Sequence, residues 1–258
     1  AAWVLRTPIL LYLPDIEPGL AVRFIARLAT RVAVTTDDSR AYFPARKTTV
    51  TGYPVRPEFA GQTRQAARES LGLLPDVPTL LVFGGSHGAR SINQALAECL
   101  EEYLSEAQVL HVSGELDWPW VAERAERLSP RLRSRYHLHP YLHEEMGQAL
   151  AAADLAICRA GASTLGELPL FGLPAILAPY PHAWRYQRVN AEWLASRQAA
   201  VVLRDESLAQ QLLPTVRGLL ADSERLARMR ERSGRLARPE AAARLAEELR
   251  ALTGEKAT

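Results

Sequence analysis

The chain has 258 residues, of which 48% are hydrophobic, and its formal net charge is +2. This length supports one large core or two modest ones, so folding does not require disulfide or metal staples. Nearly all the positive charge is arginine, Lys47 and Lys256 being the only lysines. Because the arginines are spread along the chain and form no basic stripe, the composition does not support a nucleic-acid-binding function.

Cysteine usage and hydropathy bear on the cellular compartment. Cys99 and Cys158 lie in apolar surroundings, which favours buried, reduced thiols over a disulfide and fits a cytoplasmic protein. No apolar run approaches the roughly 20 residues that span a membrane, and no signal-peptide pattern is found. We therefore expect a cytoplasmic protein that is soluble or peripheral to a membrane.

The first block of the chain alternates apolar runs with a helical pattern. Strands are predicted at residues 8–13, 31–36 and 48–52, with a helix at 19–30 between the first two. This alternation is typical of βα units on a parallel sheet. Pro54 and Pro57 then stiffen the chain and exclude a helix, which indicates an interdomain linker. Residues 1–6 carry no initiator Met and are similar to the end of a helix, so we expect a fragment.

After the linker the alternation restarts and predicts a complete doubly wound domain. A helical remainder at 207–252, rich in Ala, Leu, Arg and Glu, follows it, and its charges are placed to form i,i+4 pairs on solvated faces. The predicted strands are 79–83, 108–112, 136–138, 155–158, 175–177 and 200–203, and the predicted helices are 64–71, 91–102, 118–128, 144–152, 164–171 and 187–195.

A glycine-rich segment directly follows the strand at 79–83 and leads into a helix. It reads Gly84-Gly85-Ser86-His87-Gly88-Ala89-Arg90. Small residues here bring backbone N–H groups to the carboxyl end of a strand, a geometry that binds phosphate. The pattern is neither the dinucleotide nor the P-loop fingerprint, and a tight turn that uses glycine only for its dihedral angles remains an alternative.

A second small-residue segment follows the strand at 155–158 and reads Arg159-Ala160-Gly161-Ala162-Ser163-Thr164. The following helix start offers N–H donors and the Thr164 hydroxyl to an anion. Glu167, three residues later, is placed to accept both hydroxyls of a ribose. The same spacing from Thr164 to Glu167 also describes a capping box, and the spacing alone does not separate these two interpretations.

A third polar segment, residues 179–191, follows the next strand and contains His182, Gln187 and Asn190. Such loops are common, but three successive βα loops with ligand-binding chemistry at one sheet edge favour nucleotide binding. No cluster of His, Cys, Asp and Glu has metal-ligand spacing, since His137, His139 and His143 lack acidic support. We therefore expect no metal and no cofactor.

These motifs, taken in order, resemble those of the two-domain GT-B glycosyltransferases of family 28. The glycine loop is similar to the family's GGSQGA segment, with His87 in place of glutamine. Residues 159–167 resemble its RSGA-x-T-x-x-E segment, and Gln187-x-x-Asn190-Ala191 resembles its Q-x-x-NA segment. Gly52-Tyr53-Pro54-Val55-Arg56 matches its GNPVR linker except at Tyr53. The resemblance covers essentially the whole chain.

The resemblance implies a fold, a reaction and a set of binding residues. The fold is a GT-B type α/β architecture with a complete C-terminal Rossmann-like domain and the last βα units of an N-terminal one. The reaction is inverting, metal-independent transfer of N-acetylglucosamine from UDP to an undecaprenyl-linked muramyl pentapeptide, lipid I to lipid II, in peptidoglycan synthesis. Glu167 is then favoured as the ribose contact. The implied UDP-sugar-binding residues are Arg56, Ser86, Leu142, Ala162, Ser163, Thr164, Glu167, Gln187 and Asn190.

The resemblance also implies domain boundaries and a location in the cell. Residues 1–53 are the remnant of an acceptor-side domain, 54–58 a linker, 59–238 the donor-binding domain and 239–258 a C-terminal helix. The general base is expected upstream of Ala1. Membrane contact is expected to be peripheral, at the inner face of the cell membrane, through the missing part of the first domain. No nucleic-acid partner is expected.

Several residues depart from the family pattern and leave alternatives open. The family's HEQN segment appears here as Tyr12-Leu13-Pro14-Asp15, and Trp184 stands where an acidic residue is common. These departures concern acceptor handling and sugar choice. One alternative is a glycolipid synthase that uses UDP-galactose or UDP-glucose. Another is a donor-binding subunit or fragment without activity of its own.

Overall fold

The computed structural model describes residues 5–85, 88–183 and 185–253. The chain begins with a small parallel sheet of order β1-β2-β3, in which β1 is Leu10–Leu13, β2 is Arg31–Val34 and β3 is Thr48–Val50. Helix α1 (Leu20–Leu28) connects β1 to β2, and a 3-10 turn at Asp37–Tyr42 precedes β3. The predicted strands of the first block are confirmed, with shorter bounds.

The second sheet has six parallel strands in the order β6-β5-β4-β7-β8-β9. Counted from its own first strand, this is the 3-2-1-4-5-6 order of a Rossmann-type domain. The prediction of a doubly wound α/β domain is confirmed. Its strands are β4 (Thr79–Phe83), β5 (Gln108–Val112), β6 (Tyr136–His139), β7 (Leu155–Cys158), β8 (Ala175–Leu177) and β9 (Ala200–Val202).

Helices cover both faces of this sheet and continue beyond its last strand. They are α2 (Arg64–Ser70), α3 (Arg90–Glu98), α4 (Leu100–Glu106), α5 (Trp118–Glu126), α6 (Pro130–Arg133), α7 (Met146–Ala152), α8 (Thr164–Leu170), α9 (Tyr186–Ser196), α10 (Leu208–Ala221), α11 (Ser223–Gly234) and α12 (Ala241–Thr253). Among the described helices, none combines the length and the apolar character that crossing a membrane requires.

One helix prediction and one prediction of cysteine burial are wrong. The helix predicted at 91–102 is two helices that meet at Cys99, whose ψ of 33° departs from helical geometry. The prediction that residues 207–252 are helical is confirmed: they form α10, α11 and α12, and Asp222 caps the start of α11 by accepting from the Arg225 N–H. Cys99 is half-buried rather than buried, while Cys158 is buried and both are free thiols.

Alternate residues of the central strands supply two separate cores. Leu80 and Val82 of β4 pack into the core on one face of the sheet, whereas Leu81 and Phe83 pack into the core on the other. All five residues of β4 are buried, as expected of a strand covered by helices on both faces. The continuous apolar run that predicted this strand is therefore a consequence of its central position.

The C-terminal helix connects the two sheets. Helix α12 contacts β1 and β2 of the first sheet, although it follows the second sheet in sequence. At Gly52 φ is +94°, and a Cβ there would lie 2.6 Å from the Arg238 Cβ and 2.9 Å from the Ala241 Cβ. Glycine at this position thus permits both the left-handed backbone and the close approach of the chain that enters α12.

Candidate functional site

The candidate site lies where the strand order of the large sheet reverses. β4 has β5 on one side and β7 on the other, so the loops after β4 and β7 diverge and open a crevice at the carboxyl ends of the strands. In doubly wound sheets this crevice is the usual ligand site. Both segments for which the sequence predicts phosphate binding follow these strands, and their described residues, 84–85, 88–89 and 159–163, border this crevice.

The glycine loop after β4 is fixed by its fit against the loop after β5. Gly85 and Gly88 have φ of +81° and +75°, and the Gly88 N–H donates to the Gly85 carbonyl at 3.0 Å. A Cβ at Gly88 would collide with the Ser113 carbonyl. Close packing therefore accounts for Gly88. The predicted contact Ser86 lies outside the described residues.

A buried polar network connects α3, which follows the glycine loop, to β5, to β6 and to the loop after β5. The Asn93 amide donates to the Ser113 carbonyl at 2.8 Å and to Asp117 at 2.9 Å, and its oxygen is 2.9 Å from His111 Nε2. His111 Nδ1 is 2.6 Å from the Tyr136 hydroxyl. Burial lowers the pKa of His111 to about 3, against a smaller opposing effect of Asp117, so the ring is neutral. In the sequence Asn93 is recognisable only as part of a motif, and no local pattern indicates its partners Ser113, Asp117 and His111.

The loop after β7 presents free backbone donors. The N–H groups of Ala162 and Ser163 have no acceptor among the described residues, whereas the next four N–H groups are bonded within the first turn of α8. Unpaired N–H groups at such a turn can receive an anion. Thr164 does not cap the helix, since its hydroxyl donates to the Gly161 carbonyl at 2.6 Å. Ser163 occupies the N-cap position, so the capping-box alternative is wrong.

Glu167 lies on the first turn of α8 and is half-buried. Burial raises the pKa of its carboxyl group above the usual 4.5, and a hydrogen bond with the Ser163 side chain and the charge of Arg56 oppose this shift. The carboxylate has thus lost hydrogen bonds to water, and hydrogen-bond donors of the protein replace only part of them. Hydroxyl groups of a ligand would supply the missing hydrogen bonds.

The linker and the loop after β6 approach the same helix turn. Arg56 donates from Nη1 to the His143 carbonyl at 3.0 Å, and its guanidinium lies over the Phe59 ring at 4.4 Å. Leu142 is buried, and its own backbone N–H and C=O have no partner among the described residues. The predicted residues Arg56, Leu142 and Glu167 are therefore brought together from three separate segments.

The third polar segment places Gln187 and Asn190 in different surroundings. The Gln187 oxygen accepts from the Tyr180 N–H at 2.9 Å, which leaves its NH₂ group as a donor. Asn190 is fully buried and donates to Asp15 at 2.8 Å and to the Ala160 carbonyl at 3.2 Å. Its oxygen accepts from the Ile16 N–H at 3.3 Å. Asn190 therefore joins the loop after β1 to the loop after β7, and its contact with a sugar stays a prediction.

Other contacts fasten α9 to the first sheet. Arg185 Nε lies 2.9 Å from a Glu17 oxygen. The Trp193 indole and Arg197 both donate to Asp38, at 2.8 and 2.7 Å. These pairs are about 155 or more residues apart in sequence, so no local pattern could predict them. They hold the loop after β1, through Glu17, and the 3-10 turn after β2, through Asp38, against α9.

Asp15 is expected to make the free energy of unfolding depend on pH. Burial raises the pKa of Asp15 above its ordinary 3.8, and the hydrogen bond from Asn190 opposes the shift. Between pH 3.8 and the raised pKa, the folded chain binds more protons than the unfolded chain. The free energy of unfolding therefore falls as pH rises through this range. Asp15→Asn keeps an oxygen for Asn190 and removes the effect. Because Asp15 is only half-buried and solvent screens it, we expect a melting temperature about one to two degrees higher at neutral pH.

Thermal unfolding of wild type and Asp15→Asn at several pH values checks this expectation. Glu115→Gln, at an exposed position without a partner, serves as the control that also removes one carboxylate. Parallel pH profiles for the three proteins would contradict the role given to Asp15.

Within the part of the chain that the structure describes, no group of three His, Cys, Asp or Glu side chains could hold a metal ion. The chemistry available at the crevice is that of backbone N–H groups, hydroxyls, one half-buried carboxylate and arginine. Such donors bind a diphosphate, and the carboxylate binds sugar hydroxyls. This is the chemistry that a nucleotide-sugar site requires.

Comparison with known proteins shows that this chain is similar in sequence to sugar transferases. Residues 79–247 match the model of the glycosyltransferase family 28 C-terminal domain. Two curated relatives are named UDP-N-acetylglucosamine--N-acetylmuramyl-(pentapeptide) pyrophosphoryl-undecaprenol N-acetylglucosamine transferase. That of Roseiflexus sp. strain RS-1 is 43% identical over 95% of this chain, and that of Chlorobaculum parvum is 44% identical over 92%. The chain spans 64% of the length of each.

Solved structures agree on the fold. Acinetobacter baumannii MurG superposes with a TM-score of 0.73 at 24% identity, covering 95% of this chain and 68% of that one. A UDP-GlcNAc 2-epimerase from Neisseria meningitidis, solved with UDP-GlcNAc, has a TM-score of 0.69 at 12% identity, covering 96% and 71%. The predicted GT-B architecture is confirmed. By the match over residues 79–247, the chain belongs to glycosyltransferase family 28.

Proposed function

We propose that this chain binds UDP-N-acetylglucosamine and provides the donor side of an inverting, metal-independent transfer to an undecaprenyl-linked muramyl pentapeptide. The single observation that carries the donor site is Glu167. Its half-buried carboxylate, short of donors, is hydrogen-bonded to the Ser163 side chain, next to the unpaired N–H groups of Ala162 and Ser163. The acceptor and the sugar are inferred from the names of relatives that are 43–44% identical.

In this proposal, different residues bind the different parts of the donor. Leu142 offers backbone groups to the uracil, and Glu167 accepts from the ribose hydroxyls. Ser86, Ala162, Ser163 and Thr164 meet the diphosphate, while Arg56 faces it from the linker. The Gln187 NH₂ group, left free by the Tyr180 hydrogen bond, donates to the sugar. Asn190, at the end of the third polar segment, holds this segment beside the loop after β1.

In the proposed reaction an acceptor hydroxyl attacks the anomeric carbon on the face opposite the diphosphate. The bond from that carbon to the UDP oxygen breaks, and the hydroxyl proton passes to a base. Donors already aimed at the diphosphate stabilise the charge that develops on the leaving group without reorganisation. We assign no described residue as the base. Peripheral attachment at the cytoplasmic face of the membrane, and the division into acceptor-side remnant, linker, donor domain and final helix, are part of the same proposal.

Calorimetric titration of the chain with UDP-N-acetylglucosamine, UDP-glucose and UDP tests the donor assignment. We expect the acetylated sugar to bind several-fold tighter than UDP, and Gln187→Ala to remove that preference. Gln94→Ala, on the exposed face of α3, should leave it intact. A preference for UDP-glucose would favour the glycolipid synthase. A folded sample that binds no UDP compound would overturn the proposal.

A further inference from the structure

A second cavity opens at the same sheet edge, on the other side of α9 from Asn190. It lies between the loop after β8, the start of α9 and the loop after β9, and encloses about 850 Å³. This is within the size range of sites for small ligands. We call it the α9 groove. None of the predicted donor-binding residues lines it, and its polar lining residues include Arg185, Arg188, Arg204, Glu206 and Gln210.

Three polar groups of the α9 groove have no partner. The Arg204 guanidinium, the Glu206 carboxylate and the Gln210 amide make no hydrogen bond or ion pair with any described residue. By contrast Asp205, which also lines the groove, is held by Arg159 at 2.5 Å. A cation, an anion and an amide are thus available together on a wall that also contains Pro179, Pro181 and Val202.

The balance of charge in the α9 groove restricts its ligand. Its three arginines, Arg185, Arg188 and Arg204, are matched by three acidic residues, Glu192, Asp205 and Glu206. A polyanion such as a diphosphate gains little from a neutral surface, because the acidic side chains repel it. A chain that carries charges of both signs, with amide groups between apolar parts, fits this lining better. A short peptide has these properties.

The α9 groove is joined directly to the proposed sugar site. The backbone N–H of Tyr180, a groove residue, donates to the Gln187 oxygen at 2.9 Å. The Arg159 guanidinium lies 5.3 Å from the centre of the Tyr180 ring. A ligand in the groove would therefore contact Tyr180, the residue that is hydrogen-bonded to the proposed sugar-binding residue Gln187.

We propose that the α9 groove binds the peptide of the acceptor. This inference rests on the proposed function, in which the acceptor carries a pentapeptide. Arg204 receives a peptide carboxylate, Glu206 receives a basic or N–H group, and Gln210 bonds the backbone. The donor and acceptor are then held by adjacent surfaces on opposite sides of Gln187.

The test uses the full chain and a synthetic N-acetylmuramyl pentapeptide with one lysine and a free carboxyl terminus. Its binding is measured by calorimetry with and without UDP, beside N-acetylmuramic acid that lacks the peptide. We expect the peptide probe to bind and the sugar alone to bind much more weakly. Arg204→Ala should weaken peptide binding about tenfold, the loss of one charge-assisted hydrogen bond. Arg131→Ala, at an exposed site on α6, should not.

The outcomes separate this inference from the donor assignment. If UDP-N-acetylglucosamine binds but the peptide probe does not, or if Arg204→Ala and Arg131→Ala bind it equally, the groove assignment is overturned. Equal binding of the probe and of muramic acid alone would overturn it too. If no UDP compound binds, the proposed function fails by itself, since Arg204 has no part in the donor site.

Discussion

Glu167→Ala is expected to weaken the binding of UDP by about tenfold to a hundredfold, while the free energy of unfolding stays unchanged or rises. The loss corresponds to about 1.5–3 kcal/mol, as for hydrogen bonds to a charged acceptor. Stability is maintained because burial has raised the pKa of this carboxyl group. The folded state gives the ionised form no net stabilisation, so its removal costs the free protein nothing.

A matched pair of ligands isolates the contact between Glu167 and the ribose. Wild type should bind UDP more tightly than 2′-deoxy-UDP, because a carboxylate oxygen accepts from the 2′-hydroxyl. In Glu167→Ala the two ligands should bind equally. An equal loss of affinity for both would mean that Glu167 supports the loop rather than the ribose, and unchanged affinity would exclude any contact.

The pH dependence of binding gives an independent readout of the same carboxylate. Because the pKa of Glu167 is raised above its usual 4.5, protonation begins at a higher pH than for an exposed glutamate. UDP affinity should fall as pH decreases through this range, since a protonated carboxyl group accepts fewer hydrogen bonds. Glu167→Gln should bind more weakly than wild type at neutral pH and show a flatter profile, with phosphate ionisation contributing equally to both proteins.

The sequence could predict the sheet because the information is local. β4 is buried along its whole length, and five successive apolar or small side chains mark it without reference to any partner. The same reasoning placed the loops after β4 and β7 at one edge, since parallel strands end together. It failed at Cys99, where one helical pattern continues across two helices. The apolar periodicity continues through Cys99, although the helical geometry of the backbone is interrupted there.

Only those parts of the candidate site that lie within a single loop could be predicted from the sequence. Glu167 and the small residues before it are consecutive, and their pattern indicated a ligand. The partners of Asn190 are Asp15, Ile16 and Ala160, the first of them 175 positions away. No spacing in the sequence relates residues so far apart. The sequence therefore indicates a sugar contact for Asn190, which stays a prediction, but not the hydrogen bonds to Asp15, Ile16 and Ala160 that the structure shows.

The polar cluster at the opposite edge of the sheet carried no signal in the sequence at all. Asp154, directly before β7, accepts from Arg68 at 2.7 Å and from the Thr79 N–H at 2.9 Å. Arg64 also donates to it, and Arg230 lies 3.5 Å away. Arg68 is itself buried and donates to the Ala152 carbonyl at 3.1 Å. One carboxylate thus connects α2, β4, β7 and α11.

Asp154→Ala is expected to lower the free energy of unfolding by about 3–5 kcal/mol. Removing one partner of a buried ion pair leaves the other charge without compensation, which costs more than the pair itself contributes. Here the Arg68 guanidinium stays buried near Arg64 and Arg230. Burial and then the charge of Arg64 already lower the pKa of Arg68, and burial and the charges of Arg64 and Arg68 lower that of Arg230. Urea denaturation of both proteins, followed by circular dichroism, measures the difference. Asp154→Asn, which keeps one acceptor oxygen, should lose an intermediate amount and remain measurable if the alanine variant does not fold.

The control for Asp154 is an ion pair of similar geometry at the surface. Glu123 and Arg127 on α5 are 2.5 Å apart, and both side chains are more than half exposed. Solvent screens such a pair, so Glu123→Ala should cost less than about 1 kcal/mol. If Asp154→Ala cost no more than this, the four elements would not depend on Asp154 for their attachment. The apolar cores on the two faces of the sheet would then suffice to hold α2 and α11 in place.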